Sequence, residues 1–263
     1  KGGFKDASST YLPYVMDFHA FTVVPADLDN DGDLDLFVGA GQFFPSCNAL
    51  DCKFTPSDLI CWVDPPIPQV AQLEDRVLIQ GAKWPLTDQS KKWNVPKSGT
   101  QTVAMAMDVD GDGKLDILAG DDFGSSRLLH NVGGKFTSFS TEIGLHVYSG
   151  SMGWTAGDFN NDGKPDLVLA ESGPAPVYVQ KAPKKGHPIG LVDMGGVYGT
   201  WPSTWGASAW APLVADFDHN GEDDLVLPVV VHIPVEKAAD PKALCAQSQQ
   251  GFGTLFAGAP SVD

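Results

Sequence analysis

The clearest hydrophobic pattern in this chain is a set of short apolar runs: Leu36-Phe-Val, Ile117-Leu-Ala, Leu167-Val-Leu and Leu225-Val-Leu. Each contains branched residues, is followed by a small or turn residue, and is too short for a helix, so each reads as a buried strand. A polar nine-residue segment precedes every run: Asp27–Asp35, Asp108–Asp116, Asp158–Asp166 and Asp216–Asp224. Around the second segment Val103–Met107 leads in and Ile117–Ala119 leads out. Arg127–His130 forms a third strand, Gly133 and Gly134 turn, and Lys135–Phe139 forms a fourth. The next unit repeats the plan with Trp154–Ala156, Leu167–Leu169 and Val177–Gln180. The segments start at 27, 108, 158 and 216, spacings of 81, 50 and 58 residues. Periods near 50 with several strands per unit mark propeller blades.

The expected fold is therefore all-β, a β-propeller of four-stranded antiparallel blades in one domain, with the polar segments joining first and second strands. The blades are placed at 8–98, 99–143, 144–197 and 198–263. A Pro- and Cys-rich insert at 41–75 interrupts the first blade, after which Arg76–Ile79 resumes as its third strand. A second insert lies around 234–250. Residues 1–7 resemble the Gly133–Thr137 turn and outer strand, so they read as an outer strand completing a blade they did not begin. An unpaired strand is an aggregation liability. This one is expected to pair either with the chain's own end near Leu255 and Phe256, as a clasp, or with another molecule by strand addition.

The polar segments carry the chemistry. Oxygen-bearing side chains fall at positions 1, 3, 5 and 9: Asp27, Asp29, Asp31 and Asp35; Asp108, Asp110, Asp112 and Asp116; Asp158, Asn160, Asp162 and Asp166; Asp216, Asp218, Asn220 and Asp224. The seventh residues, Asp33, Lys114, Lys164 and Glu222, would contribute a backbone carbonyl, and Gly occupies position 6, where a tight turn needs positive φ. Several carboxylates around one point require a hard cation, and calcium, with 6–8 oxygen ligands and tolerance of irregular geometry, fits. An EF-hand begins the same way but closes with Glu at position 12 on a helix. Here position 12 is Val38, Ala119, Leu169 and Leu227. About four calcium ions are expected, with the loops at Asp158 and Asp216 the first to lose metal, since Asn160 and Asn220 lower their charge.

Composition adjusts this picture. A formal charge of −16 over 263 residues argues against nucleic acid. Four divalent ions would bring it to about −8, an ordinary soluble surface. No run approaches the roughly 18 apolar residues of a membrane span, and Lys1–Asp6 does not look like a signal peptide, implying a mature chain or fragment. Cys47, Cys52, Cys61 and Cys245 lack zinc spacing; their even count beside calcium loops favours two disulfides and a secreted, extracellular or cell-surface setting.

Catalytic motifs are missing from the sequence. The six histidines show no HExxH pairing, and no GxSxG elbow, P-loop or GxGxxG appears. His219 occupies a non-ligand loop position and reads as solvent-facing. The expectation is a non-catalytic, calcium-stabilised interaction or scaffold module that binds protein or glycan, with self-association through its N-terminal strand as the alternative to the clasp. Two alternatives stand beside it. One is a lectin or adhesin using Trp201 and Trp205, which sit in a Gly/Pro/Ser/Thr-rich stretch; Trp154 reads as core. The other is an enzyme-accessory or hydrolase domain, which would need a carboxylate paired with a His in an insert.

The loops and following strands resemble FG-GAP/VCBS repeats, the calcium-loop blades of integrin α-subunit propellers and many secreted bacterial proteins. Leu128–Thr137 with Gly144-Leu145, Gly153–Gly163 and Trp205–Ala211 are similar in phrasing to the cartilage-acidic-protein branch. The resemblance implies a calcium-binding extracellular propeller with adhesive partners. Family rings commonly hold more blades than the four visible here.

Overall fold

The computed structural model describes residues 3–13, 20–40, 73–98, 100–146, 149–201, 207–231 and 252–257. A short helix, α1 (Ser8–Tyr11), precedes a series of antiparallel sheets. The first sheet contains β1 (Ala20–Ala26) and β2 (Asp35–Ala40). After the two-residue β3 (Leu73–Glu74) it continues with β4 (Arg76–Ile79) and β5 (Thr87–Asp88), in the order β1-β2-β4-β5. β6 (Lys97–Ser98) pairs with β3. β7 (Thr100–Met107), β8 (Asp116–Gly124), β9 (Arg127–Asn131) and β10 (Phe136–Phe139) make the second four-stranded sheet, and β11 (Ser149–Gly157), β12 (Asp166–Glu171), β13 (Val177–Lys181) and β14 (Gly190–Asp193) the third; two β8–β11 pairings, Ser149 with Gly124 and Gly150 with Asp122, join them edge to edge into one sheet of eight strands. After α2 (Gly195–Tyr198), the fourth has β15 (Ala207–Ala209) and β16 (Leu213–Ala215), both paired with β17 (Asp224–Val231), and β18 (Phe252–Ala257) on the other edge of β17.

Each acidic loop joins the first and second strand of its sheet. β8 and β12, the second strands of the two middle sheets, are apolar on both faces because both faces are covered. Phe37, Val77 and Ile79 pack with Ile117, Ala119 and Leu129. Leu118 and Leu128 pack with Leu167, Leu169 and Tyr178. Val168, Ala170 and Val177 pack with Ala207, Leu225 and Leu227. The core is thus three wedges between successive sheets, a propeller-like arc. At roughly 25 cal/mol per Å² of apolar surface, these wedges are what hold one sheet to the next.

The first strand of each of the first three sheets shifts register at the same place, between Ala20 and Thr22, Gln101 and Val103, and Ser151 and Gly153. In the fourth sheet the equivalent position is Trp210. There the bulge has grown into a break between β15 and β16, with Ala211 at φ 39.

Two sequence expectations change. Residues 3–7 form no strand; they lead into α1, and Phe4 is fully exposed. Asp6 Oδ1 accepts the Ser8 amide at 2.9 Å, a local side-chain-to-backbone bond of the kind that competes with a ladder. The clasp with Leu255 and Phe256 is accordingly not formed: β18 pairs with β17. Second, the fourth sheet contains β15, β16, β17 and β18, with its inner strand split in two and no separate outer strand among the described residues. The four cysteines, Trp205 and the body of both inserts lie outside the described residues.

Candidate metal loops

The four loops share one backbone. Position 6 is left-handed in each, with Gly32, Gly113, Gly163 and Gly221 at φ 92, 84, 80 and 90. Position 4 is left-handed too, at Asn30, Gly111, Asn161 and His219, residue types that tolerate this region. Sequence inspection noticed the glycine and missed the second constraint. His219 is exposed, as expected for a non-ligand position.

The first Asp of each loop anchors the turn with both oxygens. Asp27 Oδ1 and Oδ2 accept the amides of Asp31 and Gly32 at 3.1 and 3.0 Å. Asp108 does the same for Asp112 and Gly113 at 3.1 and 2.9 Å. Asp158 serves Asp162 and Gly163, and Asp216 serves Asn220 and Gly221. The amides of Asp33, Lys114, Lys164 and Glu222 turn toward the side chain at position 5, at 2.7 to 2.9 Å.

The ninth Asp ties the loop to the sheet. One oxygen of Asp35, Asp116, Asp166 and Asp224 accepts the amide of position 2, at 2.9, 3.3, 3.1 and 2.9 Å. In the first three loops the other oxygen accepts the amide that ends the third strand: Gln80 at 2.8 Å, Asn131 at 2.7 Å and Gln180 at 3.1 Å. Asp35, Asp116 and Asp166 are fully buried. Burial pushes all three carboxyls up, Asp116 and Asp166 to about 6, against these hydrogen bonds. Burial and the carboxylate of Asp31 also raise Asp29. Carboxyls held so close and so dry are a donor set for a cation, which would supply the charge that protons otherwise supply.

Acidic oxygens converge at Asp27, Asp29 and Asp31, at Asp108, Asp110 and Asp116, and at Asp216, Asp218 and Asp224, each trio within 4.8 Å. The third loop, with Asn160 at position 3, gathers no such trio among the described residues. The second loop has a neighbour that spacing did not reveal. His130 Nε2 stands 2.9 Å from Asp110 Oδ2 and groups with Asp110 and Asp112. The available signal was its place next to Asn131, whose amide binds Asp116. In the same loop Lys114 Nζ lies 2.6 Å from Asp112, which lowers that carboxyl.

Loops also reach across sheets. Asn131 Nδ2 donates to Leu28 O in the first loop at 2.8 Å, and Gln180 Nε2 donates to Val109 O in the second at 2.9 Å. Asn30 Nδ2 donates to Gly113 O, and Asp223 Oδ2 accepts the amide of Asp158 at 2.8 Å. Metal loops and wedge packing are thus one construction.

The aromatic candidates separate. Trp154 packs in the wedge between the second and third sheets, as expected. Trp201 is partly exposed, with its indole against Gly195, where an added Cβ would meet the ring at 2.6 Å. Trp210, at the strand break, is exposed. A separate titratable cluster lies at the opposite end of β12 from its loop. There His146 Nε2 is 2.9 Å from Asp193 Oδ2, and the His146 amide donates to the Tyr178 hydroxyl at 3.3 Å. Nearby Glu171 is buried, and burial pushes its carboxyl up to about 8. Its Oε1 and Trp154 Nε1 have no partner among the described residues.

The family described as FG-GAP-like repeat matches residues 108–169 and 158–227, spans that contain the second, third and fourth loops. No curated protein matches the chain. Among solved structures, the rhamnogalacturonan lyase PL11 of Bacillus licheniformis is similar at 14% identity and TM-score 0.40, over 79% of this chain and 39% of that one. The V. cholerae biofilm matrix protein Bap1 is similar at 15% identity and TM-score 0.33, over 78% of this chain and 34% of that one. The chain therefore spans well under half the length of either. Among the described residues no helix is long and apolar enough to cross a membrane.

Proposed function

We propose that this chain, with FG-GAP-like repeats at 108–227, is a calcium-stabilised, non-catalytic extracellular module. It acts as a scaffold for a protein or glycan partner. The observation that carries the reading is the repeated loop, in which a buried ninth Asp joins a cation-ready cluster to the strand that packs on the neighbouring sheet. Calcium at these loops would neutralise carboxylates that otherwise repel, and would fix the position-2 backbone that receives the next sheet's amide. The ion is structural in this reading, because the loops use their ligands to hold turns. In this reading the Glu171–His146–Asp193 cluster is structural, with Glu171 7% exposed. Secretion, disulfides among Cys47, Cys52, Cys61 and Cys245, and adhesion belong to the same proposal.

Calcium titration of the metal-stripped chain tests it. Binding of several ions per chain supports the module, and no heat and no bound ion would sink it. A lectin reading is favoured by the exposure of Trp201. A glycan array with the native chain and with Trp201→Ala and Trp205→Ala decides it, since stacking contacts on sugars should vanish with the indoles.

A further inference from the structure

The ninth carboxylates of the first three loops are joined to one another by hydrogen bonds, through two residues at each junction. Asp35 Oδ2 accepts the Leu28 amide at 2.9 Å, and the Leu28 carbonyl accepts Asn131 Nδ2 at 2.8 Å. The Asn131 amide then donates to Asp116 Oδ1 at 2.7 Å. From Asp116 the same steps repeat. Its Oδ2 accepts the Val109 amide at 3.3 Å, and the Val109 carbonyl accepts Gln180 Nε2 at 2.9 Å. The Gln180 amide donates to Asp166 Oδ1 at 3.1 Å. Asn131 and Gln180 thus hold the ninth Asp of their own loop with the backbone and the preceding loop's position-2 carbonyl with the side chain. Asp116 stands in the middle, with one oxygen tied toward each neighbour.

This line is dry. Asp35, Asp116, Asp166 and Asn131 are fully buried, and Leu28 and Val109 are nearly so. Hydrogen bonds shielded from water orient one another more strongly than exposed ones. The turns that would carry the cations are exposed at their tips, and repulsion between charges there is screened over about 8 Å at physiological salt. A further contact fastens the first turn to the second, from Asn30 Nδ2 to the Gly113 carbonyl at 2.9 Å.

The fourth loop is attached differently. Asp224 Oδ2 accepts the Phe217 amide, as its counterparts do. The contact with the third loop, however, runs from the Asp158 amide at position 1 to Asp223 Oδ2 at position 8. Neither ninth Asp takes part in it.

We infer that the first three loops bind calcium as a cooperative set, with the second loop at its centre and the fourth loop separate. The inference rests on the calcium reading above. An ion in one loop clamps its ninth Asp and the position-2 backbone that this Asp holds. The clamped carbonyl presets the side chain of Asn131 or Gln180, and the amide of the same residue presets the ninth Asp of the neighbouring loop. The next ion meets a loop already ordered and binds it more tightly. Linkage makes the effect reciprocal between neighbours.

Calorimetric titration of the metal-stripped full chain with calcium, at physiological ionic strength, tests this. In the native chain the ions of the first three loops should bind in one steep step. Gln180→Met keeps every ligand and the amide on Asp166, and removes only the side-chain donor to Val109 and Pro165. It should bind the same number of ions in a shallower step, with the third loop at least about fivefold weaker. Asp108→Ala, which disables the second loop, should weaken the first and third by a similar factor. Asp216→Ala, which disables the fourth, should remove one ion and leave the step as it was. Circular dichroism shows whether each variant is folded; if Asp108→Ala is not, Gln180→Met decides. Independent binding of ions to the native chain, a step unchanged in Gln180→Met, or a step weakened by Asp216→Ala would overturn the inference and leave calcium binding standing. A native chain that binds no calcium would instead overturn the calcium reading, and this inference with it.

Discussion

Replacing Glu171 with Gln should make the protein more stable, and by an amount that grows with pH. Glu171 ends β12, is 7% exposed, and has an oxygen without a partner among the described residues. Burial holds its carboxyl at about 8 against an ordinary 4.5, with His146 pulling it down and Asp193 pushing it up. A raised carboxyl means that the fold prefers the neutral acid. That preference is fully present below the unfolded value and is lost as pH rises through the folded one. At 1.36 kcal/mol per tenfold difference in proton affinity, the gap between 4.5 and about 8 costs the ionised fold about 5 kcal/mol. Gln keeps the shape and never ionises. Urea unfolding in saturating calcium, from about pH 4 to about pH 9, should give nearly equal stabilities at the acid end. The variant should then pull ahead by about 1.4 kcal/mol per pH unit to a plateau of a few kcal/mol above about pH 8. The loops titrate in both proteins and cancel in the difference. His146, raised chiefly by its hydrogen bond to Asp193 and least by Glu171, contributes stability at acid pH that fades as pH rises, and the variant removes only the Glu171 part of it. Parallel curves for the two proteins would refute the reasoning.

Asn131→Ala removes donors to Leu28 O and Leu115 O and an acceptor for the amide of Gly133; a loss of about 2–4 kcal/mol in urea unfolding is expected from carbonyls left unpaired. Gly144→Ala places a Cβ against the Leu191 carbonyl at φ +108, so a cost of at least about 1–3 kcal/mol should appear in the same assay. Asp116→Asn should bind one calcium fewer by titration, because it weakens the second loop's buried ligand and its tie to Val109 and Asn131.

The sequence made the joints legible and left the joinery hidden. Oxygen spacing located all four turns, and the apolar runs after Asp35, Asp116, Asp166 and Asp224 located the second strands, because ligand phase and two-sided burial each leave a local pattern. The link from Asn131 to Leu28 spans 103 residues and has no local trace. His130 beside Asp110 follows from strand register, which spacing within the loop cannot reveal. Residues 3–7 looked like the outer strand beginning at Phe136 in composition, yet a strand exists only through a partner, and none of the described strands lies beside them. The break at Trp210 grew from a bulge that the other first strands share at the same distance from their loops. A bulge is a property of pairing and is unreadable from one strand.

The central claim is that calcium at these loops holds the sheets together, and a thermal melt with and without chelator tests it most directly. Ligand bound only to the native state stabilises by mass action, about 2.7 kcal/mol per site at a hundredfold excess over the dissociation constant. Several occupied loops should therefore raise the melting temperature markedly in calcium, with the gain abolished by chelator and restored by added calcium. Superimposable melts in calcium and in chelator would contradict the account.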